Sequence, residues 1–290
     1  MIKISIVVPV FNMFNTIEQT LNSIWQQNYS NLELIVIDGG STDGTYNFLK
    51  ENKNKIDFLV SENDNGQYHA IQKGFDLASG EIISWINADD VYFPWTLKTV
   101  NDVFSKWEDV NWIIGLASFL NSEGNLTNIS SLSSKNSKHI YKGRFRKNVF
   151  GYLQQESMFY RKKILDNAGG LNLNFSLAAD FELWTRFAKN NVLYSLNLPI
   201  AAFRKTKNSR SKKMESVYLD EVKIIIKDKF IYKLINYCSQ KSKVFNFLIR
   251  SLLYKKSHVI YYSRNSQKLK RKKLLLSFNS ISLSNLFLEI

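Results

Sequence analysis

The chain holds one cysteine, Cys238, among 290 residues. A disulfide framework is excluded, and the usage fits a reducing, cytosolic compartment. It also lacks any run of about eighteen uncharged apolar residues, so no membrane span is expected. The opening "MIKISIVVPVFN" has no basic leader and no small-residue cleavage site, so no secretory signal is expected either. Two phosphate-binding devices are missing: G-x-x-x-x-G-K-[ST], and G-x-G-x-x-G after a strand. "DGGSTDG" does not make an EF-hand loop, because Gly40 and Thr42 stand where Asp or Asn is usual. There are no internal repeats.

What is present is globular. Hydrophobic residues make up 44% and aromatics 14%, enough for one large core or two modest ones. The net charge of +14 is unevenly placed. From Arg204 to the end there are 21 Lys/Arg against 5 Asp/Glu, whereas residues 1–203 carry 18 against 20. The basicity belongs to a tail, and the chain divides into residues 1–204 and a basic, aromatic-rich extension over 205–290.

The first part alternates strand and helix signals, which predicts an α/β fold with a mostly parallel sheet. "ISIVVPV", "ELIVI", "IDFLVSE", "EIISWI", "NWIIGLASFL" and "VLYSL" read as strands, the last being the final one. "TIEQTLNSIWQQ" sets Ile17, Leu21, Ile24 and Trp25 on one helical face. "QYHAIQKGFDLASG" reads as a helix stopped by Gly80, "PWTLKTVNDVFSKW" as one opened by Pro94, and "ADFELWTRFAKN" as another. Residues 121–142, rich in Ser, Asn and Lys, read as a mobile loop over a site. Beyond Lys205 the stretches "FIYKLINY" and "VFNFLIRSLLYKK" read as helices.

Acidic groups stand at the ends of apolar strands: Asp38 after "ELIVI", and Asp89 with Asp90 after "EIISWI". Ligands of open parallel sheets bind at such ends, and the two groups meet there if their strands are neighbours. An alternative is that Asp38, Asp43 and Asp90 are turn formers. Two adjacent carboxylates at one strand end are best offset by a hard divalent cation with oxygen ligands. Mg²⁺ commonly shares one or two carboxylates with substrate phosphates, which points to a metal-bridged nucleotide diphosphate. Trp184 is expected in the core with Phe181 and Phe187, and Trp95 is given a core role, with stacking on a sugar as the alternative. None of His69, His139 or His258 is assigned as a ligand.

These residues carry a resemblance. "SIVVPVFN" at 5–12, "ELIVIDGGSTDGT" at 33–45, "DNGQYHAIQKGFDLASGEIISWINADD" at 64–90 and "QQESMFYRKKILDNAGGLN…AADFELWTRFA" at 154–188 resemble, in order and spacing, a family 2 glycosyltransferase of the GT-A fold. The resemblance covers roughly the first 205 residues. It implies a Rossmann-like, mostly parallel central sheet flanked by helices over residues 1–204, followed by a basic helical extension. It further implies an inverting, metal-dependent hexosyltransfer from a UDP- or GDP-sugar to a glycan or lipid-linked glycan, in cell-surface polysaccharide biosynthesis.

Position by position, Asp38 is similar to the residue that bonds the nucleobase, with Pro9, Val10 and Asn12 lining the same pocket. "NADD" resembles the DxD element: Asp89 would ligate Mn²⁺ or Mg²⁺, Asn87 would face the ribose or sugar, and Asp90 is a second group for the metal or donor. Asp180 matches the catalytic base; read from its helix alone, it is also a favourable N-terminal residue. Gln155 and Glu156 are assigned to the acceptor side, with a strand-edge polar role as the alternative. Two departures stand out: Asn87 opens the DxD element without a charge, and His69 and Gln72 stand where Asp and Asn are common.

The tail supports two readings. Its lysines, including "KLKRKKLLL", suit an amphipathic surface on anionic lipid headgroups, which places the protein at the cytoplasmic face of a membrane. Otherwise it is an appendage packed on the core with a solvated basic face. A nucleic-acid-binding role leaves the acidic elements unexplained. A nucleotidyltransferase would bring a glycine-rich basic loop near the N-terminus, and "VPVFNMFN" has neither glycine nor base.

Overall fold

The computed structural model describes residues 1–132, 135–143, 153–206, 214–227, 230, 234, 235, 237, 238, 241 and 257–274. Its centre is a nine-stranded sheet. In chain order its members are β1 (Ile4–Val10), β2 (Leu32–Asp38), β3 (Phe58–Ser61), β4 (Ile82–Trp85), β6 (Trp112–Ile114), β9 (Met158–Arg161), β10 (Leu193–Leu196), β12 (His258–Ser263) and β13 (Lys268–Lys273). Their spatial order is β13-β12-β10-β6-β9-β4-β1-β2-β3. All pairings are parallel except those of β9 with β4 and β6, and of β13 with β12. A smaller sheet orders β5 (Val91–Tyr92), β11 (Ala201–Arg204), β7 (Ser118–Leu120) and β8 (Leu126–Ile129) as β5-β11-β7-β8.

The α-helices with bounds among the described residues are α1 (Phe14–Trp25), α2 (Thr45–Glu51), α3 (Gln67–Leu77), α4 (Thr96–Lys106), α5 (Ser137–Tyr141), α6 (Lys162–Ala168), α7 (Ala179–Asn190) and α8 (Glu215–Ile225). β1 is buried along its whole length, as a β-branched run in the middle of a two-faced sheet should be. Its even residues, with Ile17, Leu21 and Ile24 of α1, join one apolar cluster. Val7 joins the opposite cluster with Ile71 and Phe75 of α3. On that second face Trp184 stacks on Trp85 at 5.4 Å and meets Phe187 at 5.5 Å, so its expected core role holds. A methyl added at Gly74 would fall inside the Val7 side chain; only glycine lets α3 lie this close to β1.

Pro9 explains how the upper edge opens. Pairing of β1 with β4 ends at Val7↔Trp85, while pairing with β2 runs on to Val10↔Asp38. The missing N–H of proline therefore falls beyond the β4 ladder and costs no sheet bond.

Several expectations need correction. The extension is helical over Glu215–Ile225, but residues 258–273 form β12 and β13 and widen the central sheet. The basic run Lys268–Lys273 is an edge strand, not part of an amphipathic helix, and exposed lysines suit an edge because they discourage strand addition. "VFNFLIRSLLYKK" and half of "FIYKLINY" lie outside the described residues. "VLYSL" is not the last strand. The 121–142 segment holds β8 and α5. α4 begins at Thr96, two residues past Pro94, and α3 ends before Gly80. Trp95 is 41% exposed, stacked on Phe93 at 5.2 Å, and not in the core. β2 and β4 are not neighbours: β1 lies between them.

Candidate active site

The sheet topology gathers the acidic residues at one edge. β2 and β4 run parallel, so their C-terminal ends carry Asp38 and Asp89/Asp90 to the same side. β9 runs against β4, so Glu156, just ahead of its first residue, lies on that side as well. A helix that returns the chain to the start of a parallel strand begins at that edge too; α7, which precedes β10, does so with Asp180 in its first turn.

Asp90 is fully buried. Its Oδ1 accepts from the Arg204 N–H at 2.9 Å and its Oδ2 from the Asn87 amide at 3.1 Å. The other end of the Asn87 amide accepts from Gln67 at 2.6 Å. Asp89 is partly exposed, and its carbonyl accepts from Arg204 Nε at 2.7 Å. The remaining Arg204 guanidinium nitrogens bind the Ser122 carbonyl and the Gln19 side chain. A buried arginine thus braces the acidic turn from below.

Burial raises Asp180, whose Oδ1 accepts from the Tyr68 hydroxyl at 2.9 Å and the Phe181 N–H at 2.7 Å. Burial also raises Asp89, with Arg204 opposing it, and holds Asp90 well above the usual carboxylate range, where the charges of Glu156 and Asp89 add to the effect. Glu156 is pushed up to about 8, first by burial and then by Asp89 and Asp180. It is 3% exposed, and its Oε1 has no hydrogen-bond partner. Glu156 and Asp89 thus act on Asp90, and Asp89 and Asp180 on Glu156, in a desolvated place where protonation or a cation relieves the charge. Among the described residues no three His, Cys, Asp or Glu groups form a complete ligand set. An ion such as Mg²⁺ or Mn²⁺ would therefore have to be held by one or two carboxylates together with substrate phosphates.

The remaining assigned residues are positioned as follows. Asp38 is fully buried and accepts from the Ser41 N–H (3.1 Å), the Ser41 hydroxyl (2.5 Å) and the Ser61 hydroxyl (2.6 Å). Its carboxylate orders the turn after β2. Asn12, in the left-handed region at φ 52°, receives the Thr42 N–H on its side chain and donates its own N–H to Ser41. Pro9 and Val10 are buried in β1, and the Val10 carbonyl accepts from Gly39. Asp43 caps Thr45 and Phe14, as a turn former. Gln155 is buried and donates to the Trp85 carbonyl at 2.5 Å, so its amide holds β4 in place. Gln72 accepts from the Leu171 N–H at 2.8 Å, a structural use of a departing position.

Arg204, Gln67 and Tyr68 were not legible as site residues. The available signals were a lone arginine ending the apolar strand "AAFR" and two polar residues opening a helix after Gly66.

Comparison with known proteins accords with this layout. The family model described as glycosyl transferase family 2 matches residues 5–169. A glycosyltransferase of Rickettsia conorii is 32% identical over 125 residues, 42% of this chain and 20% of that protein. A PGL/p-HBAD biosynthesis glycosyltransferase of Mycobacterium bovis is 26% identical over 196 residues, 65% of this chain and 71% of the relative. The matches span only 20–35% of the length of the first four curated relatives. Among solved structures, the 1–349 segment of S. aureus TarS shares the fold at a TM-score of 0.57 and 18% identity, over 77% of this chain and 65% of that one. Because the family model matches more than half of the chain, over residues 5–169, this chain belongs to glycosyl transferase family 2.

Proposed function

We propose that the chain is an inverting hexosyltransferase that moves a sugar from a nucleotide diphosphate donor to a hydroxyl of a glycan or lipid-linked glycan, in cell-surface polysaccharide biosynthesis. The observation that carries the reading is the convergence of Asp89, Asp90, Glu156 and Asp180, all pushed upward by burial, at one sheet edge. Family membership supports it, as does the likeness to TarS, one of whose structures is a complex with UDP-GlcNAc. A UDP-sugar is accordingly the first donor to test, with GDP-sugars second.

In this mechanism Asp89 would hold a divalent ion, Mn²⁺ or Mg²⁺, and Asn87, whose amide bonds Gln67 and Asp90, would serve the ribose or sugar of the donor. When bound, the ion supplies Lewis-acid neutralisation of the departing diphosphate. Asp90 keeps the turn in shape through Arg204 and Asn87. Asp38, Pro9, Val10 and Asn12 form the nucleotide side. Asp180 takes the proton of the acceptor hydroxyl as that oxygen attacks the anomeric carbon from the face opposite the diphosphate. Its bonds to Tyr68 and Phe181 both fall on Oδ1, which leaves Oδ2 for the acceptor. Burial raises its basicity toward working pH. Glu156, pushed up to about 8 by burial, is mostly neutral at neutral pH and spares the site a further buried charge, and Gln155 keeps the end of β4 in register.

The extension over residues 205–290 is read as part of the same enzyme, which would act at the cytoplasmic face of the membrane, its basic edge toward anionic lipid. No helix among the described residues is long and apolar enough to cross a membrane.

The test is turnover with a panel of UDP- and GDP-hexoses plus Mn²⁺, using small glycans as acceptors. The anomeric configuration of the product is read by NMR. Transfer from at least one donor with inversion supports the reading; donor hydrolysis alone, or a retained anomer, contradicts it.

A further inference from the structure

The first turn of α7 has no side-chain cap of its own, because its N-cap residue is Ala178. Helix starts leave unpaired N–H groups that need acceptors, and an acidic group there is favoured by the helix dipole. Here Asp180 takes the Phe181 N–H, and the acceptor for the segment leading into the helix, Ser176–Ala178, comes from a helix some forty residues further along. Oε1 of Glu221, on α8, accepts from the N–H of Ser176 at 2.7 Å and from its hydroxyl at 2.8 Å. Oε2 accepts from the N–H of Leu177 at 2.9 Å and of Ala178 at 2.8 Å. One carboxylate therefore takes four donors from three consecutive residues. Burial pushes Glu221 up, but these bonds outweigh it and bring the group below its usual range.

The contact has its own apolar support. Val222, Ile225 and Ile226 from the α8 end pack with Ala178 and Phe181 in a small core separate from the two sheet faces, with Phe175 and Tyr218 at its edge. Asp180 lies inside this unit, two residues past Ala178 and one before Phe181. Tyr68 closes the other side, donating to the Leu177 carbonyl at 3.1 Å and to Asp180. A serine or aspartate at position 178 would cap the helix locally. The chain instead makes the geometry of this turn depend on the docking of α8.

We propose that Glu221 is a positioning residue: it clamps Ser176–Ala178 so that the Asp180 carboxylate faces the acceptor, and thereby makes α8 part of the catalytic machinery. The inference rests on the reading of Asp180 as the base. A misplacement of about 1 Å in a reacting group costs on the order of 100-fold in rate, so loss of the clamp should be visible in turnover even when the fold survives.

The experiment compares Glu221→Gln and Glu221→Ala with Asp180→Asn in the full chain. It measures kcat and KM, UDP binding with Mn²⁺ by calorimetry, and Tm. Glu221→Gln keeps one acceptor oxygen but presents an NH₂ group to backbone donors. The expected result is a kcat about 10- to 100-fold lower, with UDP affinity within about twofold of the unmutated chain. The pH profile supplies a readout that a merely structural role would not move. The ionisable groups facing Asp180 are Tyr68 from α3, Glu156 ahead of β9 and Glu221 from α8. Of these only the Glu221 charge is removed, and it is one that raises Asp180. The acid limb of kcat should therefore move to lower pH in Glu221→Gln. An unchanged kcat in both Glu221 variants, or a fall in kcat matched by parallel losses of UDP affinity and Tm, overturns the proposal. Full turnover in Asp180→Asn overturns the base assignment itself, whatever Glu221 does, so the two failures are distinguishable.

Discussion

The Tyr68 hydroxyl donates to Oδ1 of Asp180 across 2.9 Å, joining α3 to the start of α7. The preceding residue, Gln67, holds the Asn87 amide at 2.6 Å. One helix turn thus touches both halves of the acidic site: the turn after β4 and the carboxylate opposite. Because α3 is locked on β1 through Gly74, the separation of the two halves is fixed by the core.

Tyr68→Phe tests this link with little change in packing. The hydroxyl lowers Asp180 by bonding its charged form, so its loss should raise Asp180 further. The acid limb of kcat, which already falls above the ordinary aspartate value of 3.8 because burial raises the base, is expected at still higher pH. Turnover at the plateau should drop about 10-fold, as for a lost orienting bond. Glu221→Gln moves the same limb in the opposite direction. Limbs that coincide in both variants would mean that Asp180 does not titrate in catalysis.

Arg204→Met removes a 2% exposed cation from beneath Asp89 and Asp90. Its loss leaves the carbonyls of Asp89 and Ser122 without a donor and removes the cation whose charge opposes the upward shift of Asp89. Leaving buried acceptors unsatisfied in this way costs about 1–3 kcal/mol, read as a lowered denaturant midpoint. A midpoint within error of the unmutated chain would show that the guanidinium carries no such role.

Glu33 supplies an acid-stability signature far from the site. Burial pushes it up, but bonds from Lys3, Ser5 and Ser79 outweigh that and bring it to about 2, against an ordinary 4.5. A group depressed on folding stabilises the chain fully above 4.5, and that contribution is lost as pH falls toward 2. With screening at the partly exposed Lys3, the contribution is on the order of 1–2 kcal/mol. Glu33→Gln should be less stable at pH 7 and converge with the unmutated chain at pH about 2; a constant gap across that range would rule the titration out.

The central strands were legible because β-branched runs buried on both faces have few other fates, and "ELIVID" and "EIISWINADD" announce a site by ending in carboxylates. The acid groups themselves were therefore readable. Their braces were not: Arg204 lies 115 residues from Asp89, Tyr68 112 from Asp180, and Glu221 more than forty from the loop it clamps. Such pairings are set by topology, which local pattern does not encode. The tail misled for a related reason. "KLKRKK" has the charge of a solvated helix, yet its partner "HVIYYS" is β-branched and aromatic, and only pairing with β10 through β12 makes an edge strand of it. The interposition of β1 between β2 and β4 was likewise invisible, because the chain order gives no hint of sheet order.

The measurement that bears most directly on the account is a calorimetric titration of the full chain with UDP and GDP, each with Mn²⁺ and after chelation. Asp89→Ala and Asp180→Asn are run in parallel. The account predicts binding of one nucleotide that needs the metal, falls at least about 10-fold in Asp89→Ala and persists in Asp180→Asn. Binding that is indifferent to both chelation and Asp89→Ala, or no binding of either nucleotide with metal present, would contradict it.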